Sequence, residues 1–367
     1  MALPEYSENL IRLAKALINQ EKAKVLVPPQ DNSSGYWFGG GNVVQAPDGS
    51  VLIIGRYRNY GDSRTGVGAG ERGLELALFR AESVDDPFEK LLSWNKEELQ
   101  CGEKEVVSIE GATLLLDGNQ AELFVSTEKD ISYPDDLADF QKAGTGVWSI
   151  DRLVAPVVLD LQKSPVEEVL TGPDPAHLHV KDPKAFHLPN GNTALIFCNH
   201  PYTWSSSNSG LAIRKRGEET FETVTHDLLP RGPVWDIAVS RVTDRMPVPK
   251  LGKFVDLPEM CLYFYCGAEN LRQLDDNPKA VKRPRGWSCE EIGGVAMGIE
   301  DEFPSLERLS VNEAFFTSPY GTGCSRYVST LITDQGIFAT WQQSQDDLSQ
   351  PLVGHFLPMK TVEEILS

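Results

Sequence analysis

Past Pro28-Pro29 the chain alternates short apolar runs with turn signals at intervals of roughly 8–12 residues, a pattern of strands rather than helices. The clearest pair is 42–45 and 51–56, joined by Pro47-Asp48-Gly49-Ser50, where Asp-Gly supplies a hairpin turn. Around this hairpin a longer unit recurs: polar loop, strand, turn, strand, polar loop, strand, strand. In the first unit the later strands are 73–80 and the stretch around 88–94. The second opens at Ile109-Glu110-Gly111, with strands 112–116, 120–126 and 147–150. The third opens at Lys181-Asp182-Pro183, with strands 184–188, 193–199 and 210–214. The fourth opens at Val234-Trp235-Asp236, with strands 237–242, 260–267 and 293–299. The fifth opens near Ser318-Pro319-Tyr320, with strands 327–332, 336–342 and 352–356.

Five four-stranded units in succession predict an all-β fold, a five-bladed β-propeller, with an N-terminal helix. That helix is expected over 4–22, where Leu10, Ile11, Leu13, Ala14, Leu17 and Ile18 recur at helical spacing. The expected organisation is a helix within 1–30 packed on a single propeller domain, 31–367, that closes with a short helix over 359–367.

Composition narrows the function. A formal charge of -19 over 367 residues argues against nucleic acid and against an anionic membrane surface. No apolar run approaches the roughly 18 residues of a spanning helix. The first residues, MALPEYSENL, lack a basic region followed by an apolar core. The six cysteines form no Cys-x-x-Cys and have no histidine at zinc spacing. A cytoplasmic, reducing location is expected, with no cofactor; a structural Ca2+ in the central channel is the alternative.

In a propeller the first strand of each blade lines the channel. The loop entering it and the loop between the second and third strands open on the same face. Residues ahead of the five first strands should therefore converge on one funnel. These are Asp31, Glu110, Asp182, Asp236 and Tyr320, with Asn42 on the first strand itself. Several carboxylates around one pocket raise the pKa of at least one, giving an acid and a base at neutral pH. Glycoside hydrolysis needs such a pair, so Asp31, Asp182, Asp236 and Glu110 are the candidate catalytic residues.

Tyr36, Trp37, Tyr202, Trp204, Trp235, Trp287 and Tyr320 lie in or beside the same loops and could stack on sugar C–H faces. Arg56, Arg58 and Arg72, with Glu71 beside the last, sit in the first unit. They could pair with Asp62 and Glu71, or hold an anionic substituent or phosphate bidentately.

The chain resembles the five-bladed propeller glycosidases, the superfamily of glycoside hydrolase families 43, 32, 68, 117 and 130. The local match is 181–199, KDPKAFHLPNGNTALIFCN, similar to a family 43 blade that opens with Asp-Pro. The resemblance implies that Asp182 tunes and orients the acid, with Asp31 as the nearest candidate base. The slot of the family's acid, a glutamate opening a later blade, holds Asp236, with Glu110 as fallback. An exo-acting, inverting hydrolase of a small oligosaccharide or glycoside is the leading expectation. A phosphorylase or an enzyme for anionic sugars using Arg56, Arg58 and Arg72, and a non-catalytic sugar-binding propeller, are the alternatives.

Overall fold

A computed structural model describes residues 4–59, 73–118, 120–202, 206–270 and 290–367. Helix α1, Pro4–Leu17, is followed by strand β1, Lys24–Val27. Blade one comprises β2 (Trp37–Gly39), β3 (Val43–Gln45), β4 (Val51–Arg58), β5 (Glu75–Ala81) and β6 (Glu89–Asn95). Blade two comprises β7 (Val106–Asp117), β8 (Gln120–Lys129), β9 (Val147–Ala155) and β10 (Glu167–Leu170). Blade three comprises β11 (His179–His187), β12 (Thr193–His200), β13 (Asn208–Arg214) and β14 (Glu222–Leu229). Blade four comprises β15 (Val239–Pro247), β16 (Met260–Ala268), β17 (Ile292–Ile299) and β18 (Glu307–Arg308). Blade five comprises β19 (Ser325–Thr333), β20 (Gly336–Gln343) and β21 (Leu352–Pro358), before helix α2, Met359–Leu366.

Its outer strand is β1, paired antiparallel with β21. Residues 24–27, read from the sequence as lying outside the propeller, thus complete its last blade. The two chain ends are stapled together, which closes the ring and covers an edge.

The apolar pattern becomes packing at the seams. Five buried clusters occupy the five junctions between successive blades, because each blade has two faces and must bury both. Mid-blade β16 is buried along its whole length, while outer β14 is largely exposed. The stripe Leu10, Leu13, Ala14 and Leu17 of α1 enters the seam of blades four and five beside Trp341, Ile365 and Leu366 of the carboxyl end. The helix stops at Leu17, short of the expected end.

The inner strands are locked to one another by polar side chains. Asn42 clamps the Leu114 backbone, its Nδ2 donating to the carbonyl at 2.9 Å and its Oδ1 accepting from the N–H at 2.8 Å. Thr113 donates to Pro183 O, and Thr243 donates to Val328 O at 3.0 Å. Ser329 accepts from Val43 N at 3.2 Å. Asn42 therefore ties blade one to blade two, with both ends of its amide engaged on Leu114 rather than on the funnel where it was expected.

All five inner strands are irregular at one level. The ladder slips between Ile109 and Ala112, Lys181 and Lys184, Val242 and Asp244, and Arg326 and Ser329. In blade one, 40–42 separates β2 from β3. Such bulges re-aim side chains, and here they aim them into the channel.

Candidate active site

The channel end from which the loops between second and third strands emerge, hereafter the mouth, holds a buried cluster of carboxylates and guanidiniums. Glu110 lies inside β7, and Arg56 and Arg58 lie two apart on β4, so both point to the same side. Arg56 donates to Glu110 Oε2 from Nε at 3.0 Å and from Nη2 at 2.8 Å; Arg58 donates to Oε1 at 3.0 Å. Burial alone would push the Glu110 pKa up, but Arg56, Arg58 and Lys181 hold it well below the usual carboxylate range.

Asp182 lies in the bulge of β11 with φ at 53°, in the left-handed region that a non-glycine residue rarely adopts. Its Oδ2 meets Arg241 Nε at 3.0 Å, and its Oδ1 accepts from Gly111 N at 3.1 Å and from the Tyr327 hydroxyl at 3.5 Å. Position 111 must be glycine for this approach, since a Cβ there would stand 2.5 Å from Oδ1.

Tyr327, in the bulge of β19, is also left-handed, with φ at 55°. Three described non-glycine residues have positive φ, and two of them meet side chain to side chain across the channel. Such strain persists where surrounding structure imposes it and concentrates at functional sites.

Arg241 links the remaining partners. It donates to the Tyr327 hydroxyl at 3.1 Å and to Glu291 Oε1 at 3.2 Å, while Arg326 donates to Glu291 Oε2. Burial again works against ionisation of Glu291, yet Arg326 and Arg241 lower its pKa to about 2. Burial pushes the Tyr327 hydroxyl well above its ordinary value, so it keeps its proton. The Tyr327 ring lies under Arg326, Arg241 and Arg56, at 5.1, 5.5 and 5.7 Å from its centroid.

Several expected residues are elsewhere. Asp31 is exposed, and its carboxylate accepts from Asn32 N at 2.8 Å and Ser33 Oγ at 3.2 Å. It serves a local turn and does not join the buried carboxylates. Asp236 is buried, but in the seam of blades three and four, paired with Arg308 Nε of outermost β18 at 2.8 Å. Burial raises its pKa against the opposing pull of Arg308. Among the described residues Asp182 and Asp236 share no partner, against their expected pairing. Trp235 fills the same seam, stacked on Tyr265 at 5.4 Å with Nε1 donating to Ser310 O at 2.7 Å; it is core, not a sugar platform.

Trp37 is fully buried between Arg58 and Arg326, at 5.0 and 4.9 Å, and offers no open face. Arg58 is at the mouth as expected, where it binds Glu110; Asp62, its other expected partner, lies outside the described residues. Tyr36 and Tyr320 are half-buried on the mouth face, ahead of β2 and β19. Glu71, Arg72, Trp204 and Trp287 lie outside the described residues.

Sequence reasoning missed Arg241, Glu291, Arg326 and Tyr327. For Arg241 and Arg326 the signal was a charge inside an apolar strand: Ser240-Arg241-Val242 and Ser325-Arg326-Tyr327 match Val180-Lys181-Asp182 in position. Glu110, Asp182 and Glu291 each face a guanidinium, while Asp244, further along the channel, is met by Lys184 and the Thr330 hydroxyl. Among the described residues no group of three or more His, Cys, Asp or Glu side chains is placed to hold a metal ion.

No protein-family profile matches the chain, and no curated protein matches it in sequence. Solved structures match it in fold. A glycoside hydrolase aligns over 97% of this chain and 96% of its own, at 10% identity and a TM-score of 0.64. A thermostable family-43 glycoside hydrolase covers 90% and 91%, at 11% identity and 0.56. A β-1,2-mannobiose phosphorylase from Listeria innocua, complexed with β-1,2-mannobiose, covers 93% and 96%, at 11% identity and 0.55. The fold is that of the five-bladed propellers to which these proteins belong.

Proposed function

We propose that this chain is a glycoside hydrolase, exo-acting and inverting, that cleaves a small oligosaccharide or glycoside. The observation that carries the reading is Asp182, a strained, buried carboxylate on the propeller axis held by Arg241, the Gly111 N–H and Tyr327. In this reading Asp182 takes a proton from water as its oxygen bonds to the anomeric carbon and the glycosidic C–O bond breaks.

Glu110 and Glu291 are held ionised by their arginines and act as fixed counter-charges. The proton for the leaving oxygen then comes from a group outside this cluster. Inversion is supported because the oxygens of Glu110 and Glu291 already accept charge-assisted bonds from arginines, which leaves attack on the sugar to water. Exo action is supported because a channel filled by Arg241, Tyr327 and Asp182 suits the end of a glycan better than its middle.

The test is a panel of aryl glycosides and oligosaccharides with product configuration read by NMR, run on the wild type and Asp182→Asn. Turnover with inversion that the variant loses supports the reading. Retained configuration, or an unimpaired variant, rejects it.

A second reading, phosphorolysis or action on an anionic sugar, is favoured by one observation. Four guanidiniums, from Arg56, Arg58, Arg241 and Arg326, gather at the mouth, a donor set suited to an anion. Inorganic phosphate in the same panel would then stimulate turnover and yield a sugar phosphate. Should glycans bind without any product, the propeller is a binding module.

A further inference from the structure

Phe140 is the one described aromatic side chain that is exposed, with 49% of its surface open. It ends the 3-10 turn Asp135–Phe140 in the loop from β8 to β9, on the mouth face. Tyr202, at the start of the loop that leaves β12 in the next blade, packs against it, ring centroids 4.8 Å apart and planes at 65°. That T-shaped contact leaves about half of the Phe140 surface to solvent.

The loop beneath is pinned. Gln141 donates to Ile131 O at 3.1 Å and Thr145 O at 2.7 Å, and accepts from Tyr133 N at 2.8 Å. Tyr202 N donates to Pro175 O at 3.2 Å. The Tyr133 hydroxyl bonds His179 Nε2 at 2.9 Å, three residues before Asp182 on the same inner strand. The exposed ring is therefore held at fixed position relative to the channel carboxylate.

We infer that Phe140, backed by Tyr202, is a stacking platform for a distal sugar of the glycan whose end enters the channel. The inference rests on the exo-hydrolase reading for the direction of the chain, since a glycan with its end on the axis must leave across the mouth face. A sugar's C–H face suits an exposed, preorganised ring that loses no rotamer freedom on binding. Exposed Asp136, Asp139 and Lys142 of the same loop offer polar groups to the hydroxyls around it.

The experiment compares wild type, Phe140→Ala and Phe140→Trp on an aryl monoglycoside and on the matching oligosaccharide, and titrates glycan binding to all three. Phe140→Ala should raise KM for the oligosaccharide about fivefold with kcat unchanged, leave the monoglycoside untouched, and weaken oligosaccharide binding by the same factor; Phe140→Trp should restore both. Equal effects on both substrates, or none on either, overturn it. If the wild type cleaves nothing yet Phe140→Ala loses glycan binding, the platform stands and the hydrolase reading falls. If no glycan binds, or Phe140→Ala instead dissolves a self-association of the chain, the sugar is the wrong occupant and the inference falls.

Discussion

Asp182 and Asp236 look alike in the sequence: each stands at the head of an apolar run that begins a blade. In the folded chain they share burial and an arginine partner and little else. Asp182 lies within its inner strand, in a bulge that turns its carboxylate onto the axis, where neighbours from three other blades reach it. Asp236 lies ahead of β15, and its side chain turns outward into a seam to meet Arg308 on the outermost strand of its own blade. A displacement of a few residues along the strand decides between a converging site and a seam ion pair. A buried, perturbed carboxylate is therefore no sign of function until its partners are known to come from several blades.

The sharpest way to break the comparison is activity. Asp182→Asn should lower turnover by about 10²–10⁴-fold on any glycoside the wild type cleaves, with the fold retained. Asp236→Asn should change turnover little; the opposite pattern in a coupled-product assay would overturn the contrast.

Stability should divide the pair the other way. Asp236→Ala removes the carboxylate that faces Arg308 in a largely buried setting and should cost about 3–5 kcal/mol in urea unfolding. A loss under about 1 kcal/mol would class it as a surface pair.

The mouth cluster should also answer to pH. The folded pKa of Glu291, about 2, lies below its ordinary value of 4.5, so its contribution is present above that value and is lost as pH falls toward 2. Wild type should lose on the order of 3 kcal/mol through that window on this account, and Glu291→Gln should flatten this part of the acid limb. An unchanged limb in a Tm-against-pH series would contradict the assignment.

The smallest effect belongs to Asn42. Asn42→Ala frees the Leu114 backbone and should cost about 1–3 kcal/mol in unfolding without altering turnover. A turnover defect would return Asn42 to the site.

How much of this was legible follows from range. The blades were readable because alternation and turn residues act between neighbours: strands 193–199 and 336–342 fall within a residue of β12 and β20. The closing strand was not, because Lys24–Val27 pairs with a segment more than 300 residues away and carries no mark of it. Glu110, Asp182 and Arg58 were legible as charges near channel-facing strands. Arg241, Glu291, Arg326 and Tyr327 were not, because their partners come from other blades, which local propensity does not encode.

By itself, then, the chain determined its strands, their grouping into five blades and the end of the channel where polar loops gather, since each follows from contacts between residues close in sequence. Which charged side chains meet on the axis, which retreat into seams and how the ring closes were decided only by tertiary structure. Those outcomes turn on strand register and inter-blade packing, where a slip of one residue reverses the side to which a side chain points.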